Sequence, residues 1–271
     1  MQDLHAAFQD VTQSMQPEAL VRFLDAADQN DSVQAGKRTL TRLLEPVDGQ
    51  EILDVGCGLG HDVRRLAREV GPRGRVVGVD KSEVMIAEAR RRTAGDMPVA
   101  YHVGDATRLA FAGRTFDRCR AERVLMYLPD PAQAIAELVR VLRPGGRLAL
   151  FELDYGAVLL DAPDLDLTRR LETRFAESAP SGLLGRQLPR LLRTAGMVDV
   201  SVVPHAYMVP LSVYQQVAAG PVAKAVTDGI VAADEVARWW QQVRATEEAG
   251  LFFMAFIGFA AAGRVPTEPA L

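Results

Sequence analysis

The chain has 271 residues, with 31 lysine and arginine side chains against 35 aspartate and glutamate, for a net charge of −4. Hydrophobic residues make up 48% and charged residues 24%. These are the proportions of an ordinary globular chain, and they exclude disordered, collagen-like and coiled-coil architectures. At roughly 100–200 residues per domain, the length fits one large domain or two small ones. The charge balance gives no general pull toward nucleic acid or an anionic membrane, so neither is expected as a partner. The most apolar run, residues 251–263, is well short of the roughly 20 residues a membrane-spanning helix needs. Cys57 and Cys119 cannot by themselves form a disulfide framework or a zinc site. A reducing, cytoplasmic setting is the expectation. Asp3, Asp10 and Glu18 near the start argue against a secretory leader.

Residues 1–45 read as helices, with Leu20, Phe23 and Leu24, then Val33, Leu40, Leu43 and Leu44, at helical spacing. From 46 to 153, strands and helices alternate. Glu51–Val55 is a buried strand followed by a glycine-rich turn, and His61–Val70 is a helix closed by Gly71-Pro72. Residues 75–79 form the next strand and 82–92 the next helix. Strands follow at Val99–Val103 and 116–120. A helix over 131–142 stops at Arg143-Pro144-Gly145-Gly146, and 147–153 is a fifth strand. Such alternation predicts an α/β fold with a parallel sheet covered on both faces. Ligands bind such sheets beyond the carboxyl ends of the strands. Residues 154–203 predict an irregular stretch, one helix and a strand. Residues 204–271 predict a long helical segment and then an apolar strand.

Four stretches at strand ends carry chemistry. The first is Asp54-Val-Gly56-Cys57-Gly58-Leu-Gly60, between a strand and a helix. Its glycines let the backbone turn sharply and approach a ligand closely. Position 61 is His, so the Gly-x-Gly-x-x-Gly spacing of a pyrophosphate-binding turn is not met. The second is Asp80, at the end of the second strand. A carboxylate there can accept from both hydroxyls of a ribose, or it can cap the next helix together with Ser82. Met85 is then a candidate apolar cover for an adenine, or simply core. The third is Gly104-Asp105-Ala106, where a carboxylate can accept from an adenine amino group or occupy a surface loop. The fourth is the segment 116–128. Its Glu122 and Arg123 lie where a substrate would meet a cofactor, or they form an ion pair that stiffens the loop.

These blocks, with Leu142-Arg-Pro-Gly-Gly-Arg147 and the fifth strand, resemble the class I S-adenosylmethionine-dependent methyltransferases in order and spacing over residues 46–153. The resemblance is nearest to their small-molecule branch, which includes ubiquinone-biosynthesis-like and bacterial natural-product enzymes of secondary metabolism. It implies a seven-stranded, doubly wound Rossmann-like sheet, mostly parallel, with strand six at 198–203 and an antiparallel strand seven at 252–259. It implies S-adenosyl-L-methionine as cofactor and S-adenosyl-L-homocysteine as product. Gly56, Cys57, Gly58 and Gly60, with Asp54, would face the methionine end, and Lys37 its carboxylate. Asp80 would hold the ribose, and Asp105 with Ala106 the adenine. Lys81, Met85, Gly104 and Glu122 complete the expected cofactor set.

Methyl transfer from an activated sulfonium asks mainly for in-line positioning and exclusion of water. A base is needed only where the nucleophile must lose a proton. Tyr155, Arg123 and His205 are the candidate catalytic residues, with Asp154 as an alternative to Tyr155. No Asn/Asp-Pro-Pro-Tyr motif follows strand four and no Pro-Cys occurs, which argues against nucleic-acid and protein-amide substrates. No His/Asp/Glu spacing suggests a metal site.

Residues 204–250 far exceed a simple turn between strands six and seven. They predict a helical lid, with helices over 213–226 and 232–248, joined by an N-terminal cap over 1–45 that includes His5. Residues 46–203 are then the cofactor-binding core and 251–271 the last strand and tail. The lid elements could equally serve as a homodimer interface or as extra core. Gly220-Pro221 and Gly229, read as exposed, would act as hinges. Trp239 and Trp240 read as packing anchors or stacking platforms. The predicted activity is transfer of a methyl group to an O, N or C atom of a small apolar or aromatic metabolite. Two alternatives stay open: the same fold turned to cyclisation, decarboxylation or hydroxylation, or a non-catalytic cofactor-binding module.

Overall fold

A computed structural model describes residues 17–267; the start of the predicted N-terminal cap, with His5, lies outside them. Two helices, α1 (Pro17–Asp28) and α2 (Asp31–Leu44), precede the sheet. Asn30 ends one and caps the other, its Oδ1 accepting from the Ser32 and Val33 N–H groups. Then β1 (Glu51–Val55), α3 (His61–Val70), β2 (Arg75–Asp80), α4 (Glu83–Arg91), β3 (Val99–Val103) and β4 (Phe116–Glu122) alternate as the sequence predicts. A short 3-10 helix (Leu125–Tyr127) leads into α5 (Pro131–Val141). Pro131 sits in the first turn of α5, and the Asp130 carboxylate accepts from the Gln133 N–H. The chain continues through β5 (Leu142–Leu160), α6 (Leu165–Ala176), α7 (Leu184–Thr194), β6 (Val198–Met208), α8 (Leu211–Thr227), α9 (Ala233–Glu248) and β7 (Met254–Arg264).

The seven strands form one sheet in the order β3-β2-β1-β4-β5-β7-β6. The first five are mutually parallel, and β7 is antiparallel to both of its neighbours. The predicted Rossmann-like sheet is therefore the fold. Ile52, Leu53, Val55, Val76, Val77 and Val79 are all buried, as expected of strands covered on both faces. Strand order reverses between β1 and β4, which places the ligand crevice at their carboxyl ends.

The chain departs from the sequence reading after residue 153. β5 does not stop there but runs on to Leu160, because β7 pairs with it from Arg147↔Arg264 to Leu160↔Met254. Between those ends the ladder slips. Asp154 pairs with Ile257 and Val158 with Phe256, so Tyr155, Gly156 and Ala157 bulge out of register. The wholly buried Asp154 fixes the bulge. Its Oδ1 accepts from the Gly156 N–H and its Oδ2 from the Arg186 N–H, while the Arg186 guanidinium spans both oxygens. Residues 165–194 hold two helices, not one. β6 and β7 both outrun their predicted ends, because their antiparallel ladder extends from Val198↔Arg264 to Met208↔Ala255.

The two helices between β6 and β7 are present, and Trp239 anchors them. It is 1% exposed and donates from Nε1 to the Thr168 hydroxyl on α6 at 2.9 Å. It also meets Tyr214 and Trp240 edge-on. Gly220 and Pro221 are not an exposed hinge: both lie within α8, the glycine half-buried and the proline buried. Gly229 is exposed, with φ +70. No helix among the described residues is long and apolar enough to cross a membrane.

The Asp154–Arg186 pair gives a direct test of the bulge. Arg186→Met removes charge-assisted hydrogen bonds worth about 1.5–3 kcal/mol and leaves a buried carboxylate. Urea denaturation should show a loss of that size; a loss within error of zero would mean that the bulge holds itself.

Candidate active site

A cleft of about 830 Å³ opens at the β1/β4 switch point, a volume typical of small-molecule sites. Its floor is the glycine turn. Gly56, Gly58 and Gly60 all have positive φ, at 70°, 49° and 70°, a backbone sign that side chains resist. Gly58 is open toward the cleft: a Cβ there would meet only Leu24, at 3.8 Å. Gly60 is different. It is not on the cleft wall, and a Cβ there would lie 2.4 Å from the Tyr101 hydroxyl. Its role is to pack the turn against β3, which corrects its expected place at the methionine end. Asp54, Gly56 and Cys57 do line the cleft. Burial drives the Cys57 thiol well above its ordinary range, and both cysteines are free.

Asp80 ties the turn to β2. One carboxylate oxygen accepts from the Gly58 N–H and the other from the Ser82 N–H, both at 2.9 Å. A carboxylate has about four lone-pair sites, so acceptor capacity remains for a ligand. Burial raises the Asp80 pKa, against the pull of the Ser82, Gly58 and Lys81 N–H groups and the Lys81 charge. Lys81, Met85, Gly104, Asp105 and Ala106 follow along the same wall. The Asp105 Oδ1 also accepts from the backbone N–H and hydroxyl of Thr107. Met85 is buried with Leu20 and Leu59 in a small cluster of its own, which seats α1 above the glycine turn.

The other end of the turn meets a buried charge cluster. Lys37 pairs with Asp62, with Glu122 at 3.3 Å and with Asp28 at 3.6 Å. Arg120, 1% exposed, sits among Glu122 at 2.6 Å, Asp54 at 3.4 Å and Asp62 at 3.5 Å. Arg65 pairs with Asp28 and Asp62. Burial lifts Asp54 to about 7, despite Arg120. Burial also opposes ionisation of Glu122, but Lys37, Arg123 and Arg120 outweigh it and hold that carboxyl below its ordinary range. Lys37, Asp54 and Glu122 were legible from the sequence, whereas Arg120, Asp62, Asp28 and Arg65 were not. The available signal was Arg120 itself, a cation between Cys119 and Ala121 in a strand.

The far half of the cleft is aromatic. Tyr127, Tyr155, Phe175, Tyr207 and Phe256 line it, with Val213, Gln216 and Val217 reaching in from α8. The β5 bulge delivers Tyr155, whose ring lies 4.6 Å from that of Phe175. The Tyr127 and Tyr155 hydroxyls hydrogen-bond to each other, and burial raises both phenols. His205 does not reach this space. Its Nε2 lies 2.8 Å from the Ser32 carbonyl oxygen and its ring packs edge-on against Tyr207, so it joins β6 to α2 and lies off the cleft wall. Asp154, Trp239 and Trp240 are also off the wall.

Arg123 stands between the two halves. It holds φ +55 without being glycine, and its N–H donates to the Phe151 carbonyl at 2.8 Å. The next three N–H groups, of Val124, Leu125 and Met126, all donate to Glu152, which is wholly buried. Burial raises Glu152 from 4.5 to about 7, against those donors. The sequence reading missed Glu152, although an acid between Phe151 and Leu153 in a core strand was the clue. Among the described residues no group of side chains is arranged to hold a metal ion.

Glu152 sets a pH dependence whose sign is fixed. Its folded pKa lies above its unfolded one, so its contribution favours the fold at low pH and is lost as pH rises from about 4.5 to about 7. The stability of the wild type minus that of Glu152→Gln should therefore fall across that window in urea titrations. A flat or rising difference would contradict it.

Residues 53–150 match the family described as "Methyltransferase domain". An uncharacterized 37.1 kDa protein in transposon TN4556 of Streptomyces fradiae is 40% identical over 185 residues, 68% of this chain and 54% of that one. Nocamycin O-methyltransferase of Saccharothrix syringae is 39% identical over 117 residues, 42% of this chain and 41% of that one. The chain spans about half the length of the curated relatives it matches. Among solved structures, a putative methyltransferase from Bacillus halodurans shares the fold, with a TM-score of 0.58, 19% identity and 85% and 98% of the two chains covered. The [4+2]-cyclase SpnF gives a TM-score of 0.56 at 25% identity, over 96% of each chain. With their glycine turn, acidic strand ends and sheet order, residues 53–150 are a methyltransferase domain of the class I S-adenosylmethionine-dependent type.

Proposed function

We propose that this protein transfers the methyl group of S-adenosyl-L-methionine to a small apolar or aromatic metabolite. The observation that carries this reading is one cleft with two unlike halves, a glycine turn with Asp80 on one side and an aromatic chamber around Tyr155 on the other. Buried polar atoms without hydrogen-bond partners favour a zwitterionic ligand at the charged end: Arg120 Nε and Nη1, and Glu122 Oε1. Such atoms are costly unless a ligand completes them. Bound there, the cofactor supplies an electrophilic methyl group on a positively charged sulfur.

Each wall group then has a part. Asp80 accepts from the ribose hydroxyls through its unused lone pairs. Met85, Gly104, Asp105 and Ala106 border the adenine, with Lys81 beside them. Gly56, Cys57 and Gly58 admit the methionine chain. Glu122 accepts from its ammonium, near Asp54, while Lys37 and Arg120 offer positive charge to its carboxylate. Tyr155, Phe175 and Phe256 exclude water and align the substrate, and α1 and α8 cover the cleft. The cytoplasm is the proposed setting. Similarity to proteins named for nocamycin and aklanonic acid supports a natural product as substrate, and the nocamycin relative's name, an O-methyltransferase, supports oxygen as the accepting atom.

The likeness to a [4+2]-cyclase along nearly the whole of both chains favours a second reading, in which the cofactor is held without transfer and the chamber shapes a cyclisation. Stoichiometric S-adenosylhomocysteine in turnover would select the first reading, and product without it the second.

S-Adenosylhomocysteine at about 100 times its Kd should add about 2.7 kcal/mol to folding stability, read as a rise in Tm. Asp80→Ala removes charge-assisted hydrogen bonds of about 1.5–3 kcal/mol each and should weaken binding by more than about tenfold in calorimetry. Unchanged affinity would refute the ribose assignment.

A further inference from the structure

We propose that Arg123 is the anchor for a negatively charged oxygen of the substrate, and that the cleft therefore selects an ionised oxygen acid, such as a phenolate, an enolate or a carboxylate, carried on an apolar ring system. This rests on the reading of the cleft given above and adds to it the chemical class of the substrate.

The cations around the cleft are unevenly satisfied. Lys37 meets Asp28, Asp62 and Glu122, Arg120 meets Asp54, Asp62 and Glu122, and Arg65 meets Asp28 and Asp62. Among the described residues Arg123 pairs with Glu122 only, its Nη2 3.3 Å from Oε1, while Arg120 at 2.6 Å and Lys37 at 3.3 Å share Oε2 of the same carboxylate. The Arg123 Nε is buried with no hydrogen-bond partner, and so is the Tyr207 hydroxyl. The side chain as a whole is 26% exposed, so a ligand can reach it, and an anion that supplies the acceptor its Nε lacks is favoured.

The surroundings say which ligand supplies that anion. Arg123 turns from the charged half of the cleft toward the aromatic half. Glu122 on β4 and Asp62 on α3 lie on its charged side, with Lys37 on α2 and Arg120 beyond them. Tyr127, Tyr155 on β5 and Tyr207 on β6 lie on its aromatic side. Burial raises all three phenols, so they stay protonated at neutral pH. Glu152 on β5 is near, but its oxygens are committed to the Val124, Leu125 and Met126 N–H groups. Among the described residues, the aromatic wall from Tyr127 through Phe256 contains neither a carboxylate nor an imidazole. That half therefore offers one guanidinium and phenol hydroxyls to an oxygen, and a nucleophile that arrives ionised leaves no proton for the wall to take. The unusual φ of Arg123 is held from outside, by the Phe151 carbonyl and the Glu152 carboxylate, as expected where strain serves a site.

The test uses the full chain with S-adenosylhomocysteine and 4-nitro-1-naphthol, whose naphtholate absorbance reports ionisation directly. The bound probe should ionise at a pH at least about one unit below that of the free probe, a tenfold preference for the anion. Arg123→Gln should erase that shift while leaving the affinity for the neutral 1-methoxy-4-nitronaphthalene within about twofold. Arg123→Lys should restore part of it. The proposal is overturned if the wild type binds no probe, if the bound probe ionises at or above the pH of the free one, or if Arg123→Gln keeps the shift. It is equally overturned if Arg123→Gln loses S-adenosylhomocysteine and leaves the naphthol midpoint in place, since Arg123 then serves the cofactor. The wild-type titration decides alone should Arg123→Gln fail to fold. Failure of the wild type to bind S-adenosylhomocysteine would instead strike the cofactor reading, and the probe titration can be run without that ligand.

Discussion

The placement of everything around the cleft depends on the buried guanidinium of Arg120. Charges removed from water are tolerated only where close partners replace the lost hydration, and the partners of Arg120 come from three separate elements: Asp54 from β1, Asp62 from α3 and Glu122 from β4. Lys37 brings a fourth, α2, into the same cluster through Asp62 and Glu122. The N-terminal helices therefore cannot drift away from the sheet without stranding charge in its interior. Gly36 completes the fit, since a Cβ there would overlap the Tyr207 hydroxyl, and α2 comes close to β6 because that atom is missing.

The cleft joins two kinds of construction. The glycine half uses backbone: a turn of alternating left-handed glycines, pinned to β2 by Asp80. The aromatic half uses register: three residues inserted in β5 that swing Tyr155 out of the ladder and against Phe175. Arg123 lies at the seam, and Glu152 shapes its loop from beneath by collecting three consecutive N–H groups.

The sheet and the glycine turn with its acidic neighbour were legible in the sequence because both are local. Glu51–Val55 and its glycines form strand and turn from neighbours in the chain, and Asp80 follows at the tip of the next strand. Beyond Tyr155, the aromatic half was not legible, because it is made by pairing across long separations. The β5 bulge exists through the match of residues 154–158 with 256–257, and nothing near Tyr155 announces it. His205 failed as a candidate for the same reason: its partner, the Ser32 carbonyl, is 173 residues away. Gly60 shows a subtler limit, since a glycine needed for packing and one needed for ligand approach look alike until Tyr101 is seen beside it. Arg120 and Glu152 each read as an ordinary strand residue until burial made their charge exceptional.

The seating of α1 has a consequence for the roof of the cleft. Its apolar contact, Leu20 on Leu59 and Met85, is separate from the main core. Val21 and Leu24 pack alongside, and ion pairs add to the grip: Asp25 with Arg92, and Asp28 with Arg65 and Lys37. Dissolved ions weaken half-exposed pairs such as Asp25–Arg92 far more than they weaken a closed sheet, and segments with little apolar grip open at low free energy. Ionic strength thus acts on α1 before it acts on the sheet, and brine would loosen this side of the cleft while its frame stays square.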